Sequence, residues 1–329
     1  MEQKKSQLRQ DLVSGDWIVI APGRAKRPHQ LIKKKVKRQT APKETCPFED
    51  PQKTGHGAPV LSYGSGKWDL QIIENKYPAF SHLNMCSVIS KDGPYSVTDT
   101  GGHHELLITR NHHKNLSQLS RNQARQVLEA FRDRYLMLSG DKCIAYVSMF
   151  QNWGSSAGAS IYHPHFQFIA APIVPPDIMH SLRGSIRYYD KNQKCVHCVM
   201  IDWEKKYKKR IIYENKGAIA FAPFVSKSAF EVRIFPKKHL PYFENTLDTD
   251  MDYVSDALQN TLRKIRKNLH DPDYNFFIHT SPLKDKEKHK QYHWHIEIIP
   301  KTSLAAGFEL GTGIDINSVD PDVAAKLLK

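Results

Sequence analysis

The feature that most constrains this chain is that it repeats itself. Ile72-Ile73-Glu74-Asn75-Lys76 is matched by Ile212-Tyr213-Glu214-Asn215-Lys216. A cysteine site precedes each segment, Cys46-Pro47-Phe48-Glu49 in the first half and Cys195-Val196-His197-Cys198 in the second. An apolar strand pattern ending in histidine follows each, over residues 105–112 and 231–239. A helical pattern comes next: Val127, Leu128, Phe131, Tyr135 and Leu136 share one face, as do Val254, Leu258, Leu262, Ile265 and Leu269. Ser120 stands as N-cap of the first helix and Ser139-Gly140 ends it, while His270-Asp271-Pro272 stops the second. A strand then follows each helix, over 143–150 and 274–279. Each half closes on a histidine-rich strand, Tyr162-His163-Pro164-His165-Phe166-Gln167 and Tyr292-His293-Trp294-His295-Ile296-Glu297. The same features in the same order mark a duplication, and a duplication dictates the architecture.

The pattern predicts an α+β fold of two β-β-α-β-β units, each an antiparallel sheet with one packed helix. The units cover 1–180 and 181–329, with a joint near 175–192 that carries Pro175-Pro176 and the polar stretch 190–193. With 329 residues, 40% of them hydrophobic, the chain can bury a core without disulfides. No apolar run approaches the roughly 18–20 residues of a membrane span, and the first ten residues have no apolar signal segment. A cytoplasmic protein is expected. Of five cysteines, Cys195 and Cys198 form a Cys-x-x-Cys pair that reads as metal or redox chemistry, whereas Cys86 and Cys143 read as core. A net charge of +14 favours polyanionic partners, either nucleic acid or phosphorylated small molecules. The basic runs at 33–38 and 205–210 read as solvated loops.

Zinc takes four ligands from cysteine, histidine and sometimes carboxylate. The second half offers Cys195, Cys198, His239 and His293 at positions the duplication marks independently. The first half offers Cys46, Glu49, a histidine of the His112-His113 pair, and His163, with Glu49 where the second half has its second cysteine. Two zinc sites are expected. On a strand, alternate residues share a face, so His163, His165 and Gln167 project together, away from Pro164 and Phe166. One histidine can then hold metal while the next attacks phosphorus, provided its second ring nitrogen is held by a hydrogen bond. Gln167 can donate its amide to a phosphate oxygen. Upstream, residues 152–160 are rich in glycine and serine, which lets backbone N–H groups approach phosphates closely.

At these residues the sequence resembles the galactose-1-phosphate uridylyltransferase family of the histidine-triad superfamily. The resemblance runs over nearly the whole chain. Asp16 to Pro28 is similar to the family's first strand and its Arg-Ala-x-Arg-Pro segment, Asn75-Lys76-Tyr77-Pro78-Ala79 to its nucleotide-binding segment, and Asn152 to Gln167 to its Asn-x-Gly…Ser…His-Pro-His-x-Gln signature. The resemblance implies histidine-triad-like units, His165 as covalent nucleophile and Gln167 as the residue orienting the phosphoryl group. It implies Ser160 and Asn152 at the phosphate site, Asn75 at the nucleotide, Arg24 and Arg27 near substrate phosphates, and His112 rather than His113 at the metal. Two departures stand out. Glu49 replaces a cysteine, and residues 306–313 do not match the sugar-binding segment of the best-known transferases. The chain is closer to the branch of ADP-glucose phosphorylase-like proteins, which carry a metal site in the second repeat. Glu297 stands where Gln167 would be, so the second repeat reads as a structural copy without catalysis.

The expected activity is nucleotidyl transfer, as a UDP-glucose–hexose-1-phosphate uridylyltransferase working through a nucleotidyl-histidine. Its partners are a nucleotide sugar and a hexose 1-phosphate, and its assembly a homodimer. The alternative is a nucleotide-sugar phosphorylase or hydrolase. A zinc-dependent nucleic-acid-binding module is a third reading, disfavoured because no spaced aromatic-basic pattern is present.

Overall fold

The structure is a computed structural model that describes residues 5–24, 38, 40–83 and 85–329. In chain order its first half contains β1 (Gln7–Gln10), β2 (Trp17–Ile20), β3 (Leu61–Tyr63), β4 (Leu70–Glu74), β5 (Ser90–Asp92), β6 (Tyr95–Val97), β7 (His103–Thr109), α1 (Arg121–Leu138), β8 (Tyr146–Trp153) and β9 (His165–Ala171). Then come α2 (Pro176–Asn192), α3 (Val196–Tyr207), β10 (Ile211–Glu214), β11 (Ala218–Phe221), β12 (Val232–Pro236), α4 (Asp248–Asn268), β13 (Tyr274–His279), β14 (His295–Pro300), α5 (Gly307–Thr312), β15 (Ile316–Asn317) and α6 (Pro321–Leu328).

Both repeats take the expected antiparallel form, and they fuse into one sheet. Ten strands run in the order β10-β11-β12-β14-β13-β8-β9-β7-β4-β3. The order reads the same from either edge once each strand is replaced by its repeat mate. The seam is the antiparallel pair β8–β13, in which Asn152 faces Asn275 and Gln151 faces Phe276.

Helices α1 and α4 cover one face. Phe131 of α1 sits edge-on against Phe166 and Phe168 of β9, contacts worth about 1 kcal/mol each beyond their buried area. Val127, Leu128, Leu258 and Leu262 join Val147, Met149, Ile296 and Ile298 in the same core. The caps match the local sequence. Ser120 accepts from the Gln123 amide, and the Gln123 side chain reaches back, a capping box that fixes where α1 starts. His270 and Asp271 both adopt positive φ after α4. Because Phe166 and Phe168 face the helices, His165 and Gln167 lie on the opposite face of the sheet.

Three features depart from the sequence reading. The joint at 175–192, for which no element was read, is the helix α2. Pro176 is preset for a first helical turn, Ile178 and Leu182 bury beside Tyr146 and Tyr292, and Gln193 closes the helix at φ 54°. Residues 7–20 form a small sheet with β15, and Ile18 and Ile20 pack on Val225 of the second repeat. Cys86 and Cys143 are not core: Cys86 is exposed, and the two form a disulfide that ties the β5–β6 hairpin region to the turn before β8. They lie 57 residues apart, so only the tertiary fold brings them together. Among the described residues no helix is long and apolar enough to cross a membrane.

Candidate active site

His165 opens β9 and is 6% exposed. Its Nδ1 lies 2.9 Å from the carbonyl oxygen of His163. A carbonyl can only accept, so Nδ1 carries the proton and Nε2 keeps its lone pair. Burial pushes the His165 pKa below the ordinary histidine range, against the pull of that carbonyl, which keeps the ring neutral. Phe48, fully buried, sets its ring edge-on at 5.3 Å from His165 and 5.8 Å from His163, and so fixes both imidazoles. Gln167 lies on the same sheet face, and its Oε1 is 3.0 Å from Nε2 of His104.

The loop upstream is built jointly by the two repeats. Gly154 has φ 87°, and a Cβ there would fall 1.9 Å from Oδ1 of Asp273, so both conformation and space demand glycine. Asp273 accepts from the Ser156 amide at 2.8 Å and pairs with Arg38 at 2.7 Å. Asn152 sits on β8, and its Oδ1 accepts from Asn275 Nδ2 at 2.8 Å, which also donates to the Ala157 carbonyl at 2.8 Å. The register that pairs Phe150 with Gln167 runs on toward Asn152 and His165. Ser160 is exposed at the end of this loop, and Asn75 follows β4 with its Oδ1 accepting from the Tyr77 amide at 3.0 Å. Arg24 is exposed in the turn after β2, on the three-stranded sheet rather than on the His165 strand. Arg27 lies outside the described residues.

The expected metal sets are both brought together. Cys46, Glu49, His112 and His163 converge, as do Cys195, Cys198, His239 and His293, the ligand atoms of each set lying within 4.8 Å of one another. His112, not the exposed His113, belongs to the first set. The imidazoles are turned for the task. His163 Nε2 lies 2.7 Å from the Thr109 carbonyl, His112 Nε2 2.8 Å from that of Ala41, and His239 Nε2 2.8 Å from that of Lys290. Each therefore donates its Nε2 proton to backbone and aims an Nδ1 lone pair inward, the arrangement a ligating histidine needs. Burial pushes His163 down to about 4, so it stays neutral. Both donor sets fit zinc, the second more fully because it has two sulfurs.

The second site also uses a helix end. Cys195 is the N-cap of α3 and Cys198 lies in its first turn, where the helix dipole favours thiolate. The Cys195 thiol is held well below its usual range, first by the Cys198 thiol donating to it and then by His197, His239 and His293. In the first site, by contrast, burial raises Cys46.

Sequence reasoning missed His104, Phe48, Asn275 and Asp273. Phe48 lies between Cys46 and Glu49, and Asn275 and Asp273 are at the seam of the duplication. His104 has only its place beside the predicted strand as a signal.

A family model described as a domain of unknown function, DUF4921, matches residues 71–328. ADP-glucose phosphorylase of Arabidopsis thaliana is 35% identical over 100% of this chain and 94% of its own length. Galactose-1-phosphate uridylyltransferase of Thermotoga maritima is 25% identical over 98% of each. The crystal structure of an ADP-glucose phosphorylase from Arabidopsis thaliana with bound ADP-glucose covers 99% of this chain and 98% of its own, at 31% identity and a TM-score of 0.83. A uridylyltransferase structure covers 98% of this chain and 96% of its own at 26% identity, with a TM-score of 0.75. The chain belongs to the family that joins galactose-1-phosphate uridylyltransferases with ADP-glucose phosphorylase, and is an enzyme of the nucleotidyltransferase type.

Proposed function

We propose that this enzyme transfers a nucleotidyl group from a nucleotide sugar by way of His165. The observation that carries the reading is the carbonyl-held Nδ1, which leaves His165 Nε2 unprotonated on the face shared with Gln167. Nε2 attacks the α-phosphorus and a P–N bond forms. The bond from that phosphorus to the bridging oxygen breaks, and hexose 1-phosphate leaves with the electron pair. In the second step an acceptor oxygen attacks the same phosphorus and His165 leaves. The Gln167 amide and the amides of the 154–160 loop donate to the phosphoryl oxygens, where charge grows in the transition state. Asn152 and Ser160 line that phosphate, Asn75 meets the nucleotide, and Arg24 and Arg27 offset substrate charge.

Cys46, Glu49, His112 and His163 would hold a zinc ion that would supply a fixed anchor for the strand presenting His165, and Cys195, Cys198, His239 and His293 would hold a second, structural ion in the other repeat. The acceptor is either a second hexose 1-phosphate or inorganic phosphate. The greater identity to ADP-glucose phosphorylase, 35% against 25%, favours an adenylyl group and inorganic phosphate as the first pair to test. We also propose a homodimer; the exposed apolar side chains Met85, Val88, Ile89, Tyr95 and Val97 around one hairpin support self-association.

Incubation with a panel of nucleotide sugars, followed by intact-mass measurement, tests the reading. One nucleoside monophosphate should add per chain, and phosphate or a hexose 1-phosphate should discharge it. A panel that leaves the mass unchanged while product forms would overturn the covalent route.

A further inference from the structure

His104 lies on β7 next to the site, half-buried. Its contacts define its protonation. The backbone N–H of Ala79 lies 3.0 Å from Nδ1. A peptide N–H can only donate, so Nδ1 holds a lone pair and the neutral ring carries its proton on Nε2. The Gln167 side-chain oxygen, 3.0 Å from Nε2, is then the acceptor of that proton. An amide whose oxygen is taken presents its NH2 elsewhere, here on the sheet face it shares with His165. Asn75 Nδ2 also lies 3.0 Å from Nε2. A protonated nitrogen cannot accept from it, and Asn75 Oδ1 already receives the Tyr77 amide. The Asn75 amide is set by the Tyr77 N–H rather than by His104, so the imidazole orients one amide, that of Gln167.

We propose that His104 is a positioning residue for nucleotidyl transfer. It fixes which end of the Gln167 amide meets the phosphoryl group, and through Ala79 it ties that orientation to the segment at 75–80. Without the Nε2 proton, the amide can rotate and turn its oxygen toward an anion. A rotated amide both removes a donor and adds a repulsion, so the loss falls on the transition state more than on binding. The inference rests on the reading that Gln167 touches the transferring phosphate.

The experiment is a double-mutant cycle on the full chain, reading the rate of nucleotidyl-enzyme formation from whichever nucleotide sugar the panel selects. His104→Ala should slow that rate about 10- to 100-fold, with KM changed by about threefold or less. His104→Gln puts an amide NH2 where Nε2–H stood and should recover most of the loss. In a Gln167→Ala background, His104→Ala should cost nothing further, because the residue acts only through Gln167. If His104→Ala does not fold, His104→Leu read against His104→Gln serves the same purpose. Additive losses, or failure of His104→Gln to outperform the apolar variants, would overturn the proposal. If Gln167→Ala itself keeps the full rate, the assignment of Gln167 falls first and the role of His104 falls with it.

Discussion

His165 and His295 occupy matching places in the two repeats, and their backbones treat them alike. His165 Nδ1 lies 2.9 Å from the His163 carbonyl, and His295 Nδ1 lies 3.1 Å from that of His293. Both rings are buried, and each follows a histidine of a metal set by two residues. What differs is the company. His165 shares its face with Gln167, a neutral amide. His295 stands with Glu297, whose carboxylate lies 3.2 Å from His279 Nε2 and 3.8 Å from Arg233. Burial opposes charge on Glu297, but Arg233 and His279 outweigh it and hold its carboxyl below the ordinary range. Arg233 is in turn paired with Glu231 at 3.0 Å. A phosphoryl group brought to His295 would meet a fixed carboxylate with its counter-charges already engaged. Backbone posture makes a histidine capable of attack, and its neighbours decide whether an anion can approach it.

Breaking the comparison outright gives the largest effect. His165→Ala should abolish turnover and adduct formation, a loss of about 10³-fold or more, while His295→Ala leaves adduct formation within a few-fold of wild type. Peptide mapping of the trapped adduct checks both at once, since modification on the 292–299 segment would sink the asymmetry. Glu297→Gln sharpens it. The variant gains the amide of the first repeat and takes one carboxylate from the buried network, while Arg233 keeps Glu231, so it should cost about 2 kcal/mol by denaturant unfolding without creating a second nucleotidylated site.

The metals extend the contrast. Cys195→Ser with Cys198→Ser should lose one zinc per chain by elemental analysis. The first set should release its metal earlier under chelator, because a carboxylate replaces a thiolate, and Glu49→Cys should slow that fast phase. Activity should fall with the fast phase, before any loss of helical circular dichroism, since even a small misplacement of His165 lowers the rate. Release from the second set first would reverse the ranking. The loop at the seam comes next: Gly154→Ala forces a Cβ against Asp273 and should cut turnover about tenfold with both metals retained. The smallest effect separates two adjacent side chains. His113→Ala should keep its zinc content, and His112→Ala should not.

Much of this was legible in the sequence because duplication tests itself. A period-two face at 163–167 and a three-four helical period at 127–136 each recur in the other half, so either copy corroborates its mate. The convergence of Cys46, Glu49, His112 and His163, and of Cys195, Cys198, His239 and His293, was readable for the same reason. What could not be read is whatever depends on how the copies meet. Asn275 and Asp273 serve the first site only because β8 pairs with β13. The Cys86–Cys143 disulfide and the burial of Phe48 likewise arise from segments far apart in the chain. The helix α2 was hidden by its own ends, where Pro175-Pro176 and the polar stretch 190–193 look like a linker.

The seam has an evolutionary consequence. In an assembly of two identical chains, any substitution appears on both sides of the axis, so a carboxylate that disables one histidine disables the other. Joining β8 and β13 within one polypeptide lifts that restriction. One copy can then carry glutamate at 297 within a buried charge network while the other keeps glutamine at 167. The second copy still cannot be discarded, because Asp273 and Asn275 brace the loop beside His165.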